Sequence, residues 1–257
     1  MRHKINGHKL YILERGYAGA PPVVLLHHGL GSTRAWRRQM HPLAEAGFRT
    51  IAYDRWGYGK SDPRPQLSMP RFDDDQYDLL ALMSRLNLEQ ASLVGHSDGA
   101  TIALYFAASH PERVVSLVTI AAHIYMEAKM QAGIWGVRQM FQNDDEFLRR
   151  FQRLHGEKYQ QVFDNWFYGW TKAEHLSWDM RPVLGQIRCP ALVIQGLEDE
   201  HATPQHAQDL AAALPEAELW LLPQVGHMLP RDAARAFNKR LVEFLGQNRS
   251  ELCLVKS

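Results

Sequence analysis

Ser97 stands in Gly95-His96-Ser97-Asp98-Gly99, between the apolar run Ser92-Leu93-Val94 and a stretch with helical spacing, Ala100, Ala103, Leu104 and Ala107. Glycines two residues either side of a serine let the main chain turn sharply from strand into helix. Such a turn lifts the hydroxyl above a sheet and bares neighbouring N–H groups. Alone, the pattern is as compatible with a glycine-rich turn and a capping serine. A hydroxyl is a poor nucleophile at neutral pH and needs a base, for which the chain offers thirteen histidines.

Context comes from Leu25-Leu26-His27-His28-Gly29-Leu30-Gly31, after another apolar run. With this segment the chain resembles the α/β-hydrolase family, in which a His-Gly pair after the third strand marks the oxyanion loop. The resemblance implies that the main-chain N–H groups of Leu30 and Asp98 form an oxyanion hole. Donors aimed at the charge that develops on a carbonyl oxygen are each worth about 10²–10³ in rate. It also implies His227, in Pro223-Gln224-Val225-Gly226-His227-Met228, as the base, and Asp199, in Gln195-Gly196-Leu197-Glu198-Asp199-Glu200, as the acid that orients it. The chain order Ser97, Asp199, His227 is the hydrolase order. Glu198 and Glu200 flank Asp199 and are the competing acids. The resemblance covers nearly the whole chain outside residues 124–185.

Asp54 to Asp62, Asp54-Arg55-Trp56-Gly57-Tyr58-Gly59-Lys60-Ser61-Asp62, also resembles a family segment and reads as structural. It ends like a phosphate loop, but Asp54 stands where that loop needs glycine, and its charge would repel phosphate. Gly29-Leu30-Gly31 fails as a dinucleotide fingerprint because Arg34 occupies the third glycine position. His27 and His28 are adjacent on a strand, point to opposite faces and make a poor metal pair. His96 packs under the turn, and His201 and His206 read as surface histidines. The Asp98 carboxylate either braces the oxyanion loop or faces the pocket. His28, His123, Trp135, Trp166 and Met228 are candidate pocket residues.

The elements that position these groups follow from periodicity. Asn6-Gly7 between His3–Ile5 and Leu10–Leu13 predicts a hairpin. Continuous apolar runs at 23–26, 50–53, 92–94, 114–120, 191–194 and 219–222 suit strands buried on both faces. Helical spacing separates them: Trp36, Met40, Leu43; Tyr77, Leu80, Met83, Leu86; and Phe237, Leu241, Phe244, Leu245. The alternation predicts an α/β fold, a mostly parallel eight-stranded sheet with helices on both faces. Its hydrolase core comprises 1–123 and 186–257. Residues 124–185 hold no convincing buried strand, four tryptophans, and eight Lys/Arg against eight Asp/Glu, and read as a helical cap. The tail after Phe244 is expected to fray.

Composition narrows the classes. The chain has 257 residues, 46% of them hydrophobic, with a net charge of +1, which gives no clustered cations for nucleic acid. No run approaches the ~20 apolar residues of a membrane span. Met1 to Asn6 lacks the apolar core of a secretory signal. Cys189 and Cys253 make neither a disulfide framework nor a metal site, so a reducing, cytoplasmic setting is expected. No metal or organic cofactor is implied, and the expected partner is a small-molecule substrate. The aromatic cap could also host a homodimer contact.

An aromatic, electrically balanced cap favours small or medium, mostly apolar carboxylic esters, cleaved through an acyl-enzyme. A serine nucleophile argues against the dehalogenases and epoxide hydrolases of the family, which use aspartate there. Alternatives are a carbon–carbon bond hydrolase of ring-cleavage products, drawing a cation from Arg138, Arg149, Arg150 or Arg153, and a lactonase or perhydrolase. A hydrolase-like ligand receptor with little turnover is the alternative from another class.

Overall fold

The computed structural model describes residues 1–249, so Cys253 and most of the tail after Phe244 lie outside the described residues. Asn6 and Gly7 both take positive φ, 46° and 93°, and close the hairpin of β1 (Arg2–Ile5) and β2 (His8–Arg15). There follow β3 (Pro22–Leu26), α1 (Met40–Glu45), β4 (Arg49–Asp54), α2 (Asp73–Arg85), β5 (Ala91–His96), α3 (Asp98–Ser109) and β6 (Val114–Ile120). Then come α4 (Ala128–Asn143), α5 (Asp145–His155), α6 (Tyr159–Thr171) and α7 (Arg181–Leu184). The chain returns to the sheet with β7 (Ala191–Gly196), α8 (Gln205–Ala213), β8 (Ala217–Leu222), α9 (Leu229–Asp232) and α10 (Ala234–Gln247).

The eight strands lie in the order β1-β2-β4-β3-β5-β6-β7-β8. β2 pairs antiparallel with β1 and β4, and every pairing from β4 through β8 is parallel. Leu79, Leu82, Leu104, Phe106 and Leu210 pack from α2, α3 and α8 on one face; Met40, Leu43, Phe237, Leu241 and Phe244 pack from α1 and α10 on the other. This is the α/β architecture that the alternating pattern predicts.

Three local expectations are corrected. Trp36, Met40 and Leu43 are all buried but do not share one helix, because a 3₁₀ turn at Thr33–Trp36 precedes α1. In α2 the buried positions are Asp75, Gln76, Asp78, Leu79, Leu82 and Met83, while Tyr77 is 64% exposed. Of the three acids in the first turn of α2, Asp75 faces inward because Arg55 and Arg64 are buried opposite it, while Asp73 and Asp74 stay about half exposed. The run 219–222 forms β8, but β8 is an edge strand, and Leu219 is 42% exposed.

Between β6 and β7, α4, α5 and α6 pack through rings: Phe141 stacks on Phe163 with centroids 3.8 Å apart, and Phe151 meets Phe141 edge-on. Polar bonds join this segment to the sheet loops. Asn165 Nδ2 donates to Arg64 O at 3.0 Å, and Lys158 Nζ donates to Tyr58 O at 3.2 Å and to Ser61 O.

Candidate active site

Four loops at the C-terminal ends of β3, β5, β7 and β8 converge on one cavity of about 490 Å³. That is where ligands sit in open α/β sheets, since strand ends there are followed by loops and helix N-termini.

Ser97 joins β5 to α3 with φ 55° and ψ −122°, a conformation that side-chain-bearing residues rarely adopt. The packing around the turn enforces it. A Cβ on Gly95 would collide with the Gly99 carbonyl, and one on Gly99 with the Leu26 carbonyl. Ser97 N donates to Ile120 O at 2.8 Å, which ties the turn to β6. Asp98 is the first residue of α3, where a main-chain N–H has no intrahelical acceptor.

The acid loop is saturated with donors. Asp199 Oδ2 accepts from Gln195 Nε2 at 2.7 Å and His227 Nδ1 at 2.9 Å; Oδ1 accepts from His201 N at 2.7 Å and Ala202 N at 3.2 Å. Of the three adjacent acids, Asp199 is the one that meets the His227 imidazole, and Glu200 Oε2 instead accepts the His227 main-chain N–H at 3.0 Å. An ionised carboxylate only accepts, so the His227 Nδ1 proton points at Asp199 and Nε2 is left as the free base. A third tie holds the loop: His96 Nε2 lies 2.9 Å from His227 O. His96 therefore carries its proton on Nε2 and packs under the turn, as expected.

Electrostatics follows from burial and charge. Burial would raise the Asp199 carboxylate, but the His227 imidazole beside it and the donors around it hold it well below the usual range. Burial would lower His227, yet Asp199, Glu200 and Asp98 together raise it above an ordinary histidine. Burial pushes the Asp98 carboxyl up to about 6, against the pull of Arg55 and the hydrogen bond from Trp170. An imidazole so held can take a proton from a hydroxyl and carry the resulting charge.

Of the two roles open to the Asp98 carboxylate, facing the pocket is the one the structure shows, and Oδ2 has no hydrogen-bond partner among the described residues. Its Oδ1 accepts from Trp170 Nε1 at 3.2 Å, and its side chain lines the cavity, packed so closely that a Cβ on Gly29 would come within 2.7 Å of Oδ2. Behind it lies a charge chain absent from the sequence reading. Arg55 Nη2 is 3.8 Å from Asp98 Oδ2, Arg55 Nη1 is 3.3 Å from Asp75, and Asp75 also pairs with Arg64 at 2.7 Å. Its one sequence signal is an Arg-Trp pair inside a glycine-rich segment.

Leu30 lies in the turn closed by Gly31 N→His28 O at 3.0 Å, and it lines the cavity with His28, Gly29, His123, Trp166 and Met228. Trp135 does not join them: it is 53% exposed and meets Phe167 edge-on. The cavity-facing stripe of α4 is Met130, Ile134 and Val137, and a helix turns position 135 away from that stripe. His206 is fully buried, with Ile124 N donating to Nδ1 and Glu127 3.2 Å from Nε2, and His201 stands edge-on to His227 in the cavity wall. Neither is a surface histidine: His201 lies against Gly133 of α4, and His206, on α8, is covered by Ile124, Tyr125 and Glu127. His123 is buried against the His227 ring, and neither of its nitrogens has a hydrogen-bond partner among the described residues. Arg150 reaches the cavity from α5 while pairing with Glu146 at its exposed side. Among the described residues, no group of three or more His, Cys, Asp or Glu could hold a metal ion. No described helix is long and apolar enough to cross a membrane.

The family described as alpha/beta hydrolase fold matches residues 21–166. The serine hydrolase BPHL of Homo sapiens is 30% identical over 247 residues, covering 94% of this chain and 84% of that one. A 2-hydroxy-6-oxo-6-phenylhexa-2,4-dienoate hydrolase of Burkholderia cepacia is 26% identical, covering 94% and 92%. Among solved structures, a meta-cleavage product hydrolase from Pseudomonas fluorescens superposes with a TM-score of 0.82 at 21% identity over 96% of this chain and 97% of that one, a likeness of fold. Sheet order, the strained serine turn and the matched sequence agree, and the chain belongs to the α/β-hydrolase fold family.

Proposed function

We propose that the protein is a serine hydrolase that cleaves small or medium, mostly apolar carboxylic esters through an acyl-enzyme. One observation carries this reading: Ser97, in its strained turn at the head of α3, shares a cavity with His227, whose Nδ1 is held by Asp199. In this mechanism Ser97 Oγ attacks the ester carbonyl while His227 Nε2 takes its proton. The oxyanion is received by the N–H groups of Leu30 and Asp98. The imidazolium returns the proton to the departing alcohol. Water, deprotonated by the same imidazole, then attacks the acyl-serine; the carbonyl re-forms, Ser97 Oγ recovers the proton, and the acid leaves. Residues 124–185 act as the cap whose α4, α5 and α6 side chains receive the acyl or alcohol group. Met130, Ile134, Val137, Phe147, Phe151 and Leu154 there favour an apolar one.

Initial rates on p-nitrophenyl esters of two to twelve acyl carbons test this. The expected result is turnover that peaks at short or medium chains, with labelling by a fluorophosphonate that Ser97→Ala abolishes. A second reading has support from Arg150 in the cavity wall and from relatives named as ring-cleavage hydrolases. A carbon–carbon hydrolase would turn over a 2-hydroxy-6-oxo-dienoate and leave the esters nearly untouched, and that outcome would replace the ester reading.

A further inference from the structure

His155 ends α5 and is buried against the sheet loops, 2% exposed. The main-chain N–H of Gly59 donates to its Nδ1 at 3.0 Å. Nδ1 is therefore the lone-pair nitrogen, and the proton sits on Nε2, which donates to the Leu30 carbonyl at 3.2 Å. Burial lowers this imidazole to about 4, so the ring is uncharged at neutral pH and keeps one donor and one acceptor. The turn that presents the Leu30 N–H is thus fixed at two points, its own closing bond from Gly31 to His28 and the His155 bond to the Leu30 carbonyl.

The same helix also lines the cavity. Phe147, Arg150, Phe151 and Leu154 fall at helical i, i+3, i+4, i+7 and form one stripe of its wall. His155 follows that stripe directly, with its ring 4.4 Å from the Phe151 ring. A ligand pressing on Phe151 or Leu154 therefore acts on the element that holds the oxyanion turn.

We propose that His155 is a positioning residue, through which the cavity wall of α5 sets the oxyanion turn, so that the fit of the substrate's apolar group is read out in the chemical step. This rests on the assignment of the Leu30 N–H as an oxyanion donor. A turn left free to tilt would bind substrate as before and stabilise the transition state less.

The test compares His155→Leu with His155→Gln, whose amide can supply both a donor and an acceptor. For the best ester, His155→Leu is expected to lower kcat about tenfold to a hundredfold with KM changed less than about threefold. Affinity for an alkyl boronic acid, whose serine adduct carries the oxyanion-like oxygen, should fall by the same factor as kcat. The dependence of kcat on acyl length should flatten, and His155→Gln should restore most of each effect. A rise in KM with kcat preserved, or equal damage in both variants, overturns the proposal. If the wild-type protein neither hydrolyses esters nor binds the boronate, the ester reading fails by itself. Amide hydrogen exchange across His28–Gly31 then decides: faster exchange in His155→Leu that His155→Gln reverses supports the positioning role, and unchanged exchange overturns it.

Discussion

At one wall of the cavity the functional groups are gripped by directional bonds; at the other, size is set by rings and alkyl chains in simple contact. Asp199 has its oxygens filled by two side chains and two main-chain N–H groups, and the His227 loop is held at its N–H, its carbonyl and its ring. Across the cavity, Met130, Ile134, Val137, Phe151 and Leu154 present surfaces that other apolar side chains could also present. Preorganised polar groups lose function when displaced by a fraction of an ångström. Apolar walls tolerate exchange and change mainly what fits. In the proposed mechanism the sheet loops carry the reaction and the helical segment carries the preference, and His155 is one of the points, with Lys158, Asn165 and Trp170, where one reaches the other.

The strongest way to break the gripped wall is Asp199→Asn. It removes the acceptor that fixes the His227 tautomer, and kcat should fall about 10⁴-fold in steady-state assays while substrate affinity is kept. Next comes Asp75→Asn. It strips Arg55 and Arg64 of their shared buried partner, and urea denaturation should show a loss of about 3–5 kcal/mol. On the opposite wall, Ile134→Phe should leave acetyl-ester turnover within about threefold and cut kcat/KM for the longest accepted chain about tenfold. The smallest effect sharpens the comparison electrostatically. His227 must be neutral to act as a base, so kcat/KM should rise with pH through a value above an ordinary histidine's. Glu200 helps to raise that value, and Gln at 200 can still accept the His227 N–H. Glu200→Gln should therefore move the acid limb to lower pH by less than about one unit in a pH–rate profile.

What the sequence discloses divides along the same line. The Ser97, Asp199 and His227 loops are legible because each follows a short apolar run and carries a glycine, and at Gly95, Gly99 and Gly196 main chains must nearly touch. The family resemblance then selects among thirteen histidines, and the geometry separates Asp199 from Glu198 and Glu200. Arg55, Asp75 and His206 are not legible. A charged residue in an acid-rich helix start reads as solvated until its partner from another loop is seen, and those pairings join residues 20 and 79 positions apart. Trp135 misleads because aromatic content marks a packed segment without telling which side of a helix faces the cavity. The edge position of β8 is hidden for a related reason: strand order is a property of the sheet, and an apolar run is the same whether one neighbour or two will flank it.

Gly196 ends β7, and a Cβ there would strike the Val225 carbonyl of the loop that carries His227. Polypeptide backbone, with no rotamer to adjust, is thus the gauge that spaces acid from base. On warming, the spacing of Asp199 from His227 should persist until the sheet itself melts, whereas discrimination among chain lengths should drift earlier, as the packing of α4, α5 and α6 loosens.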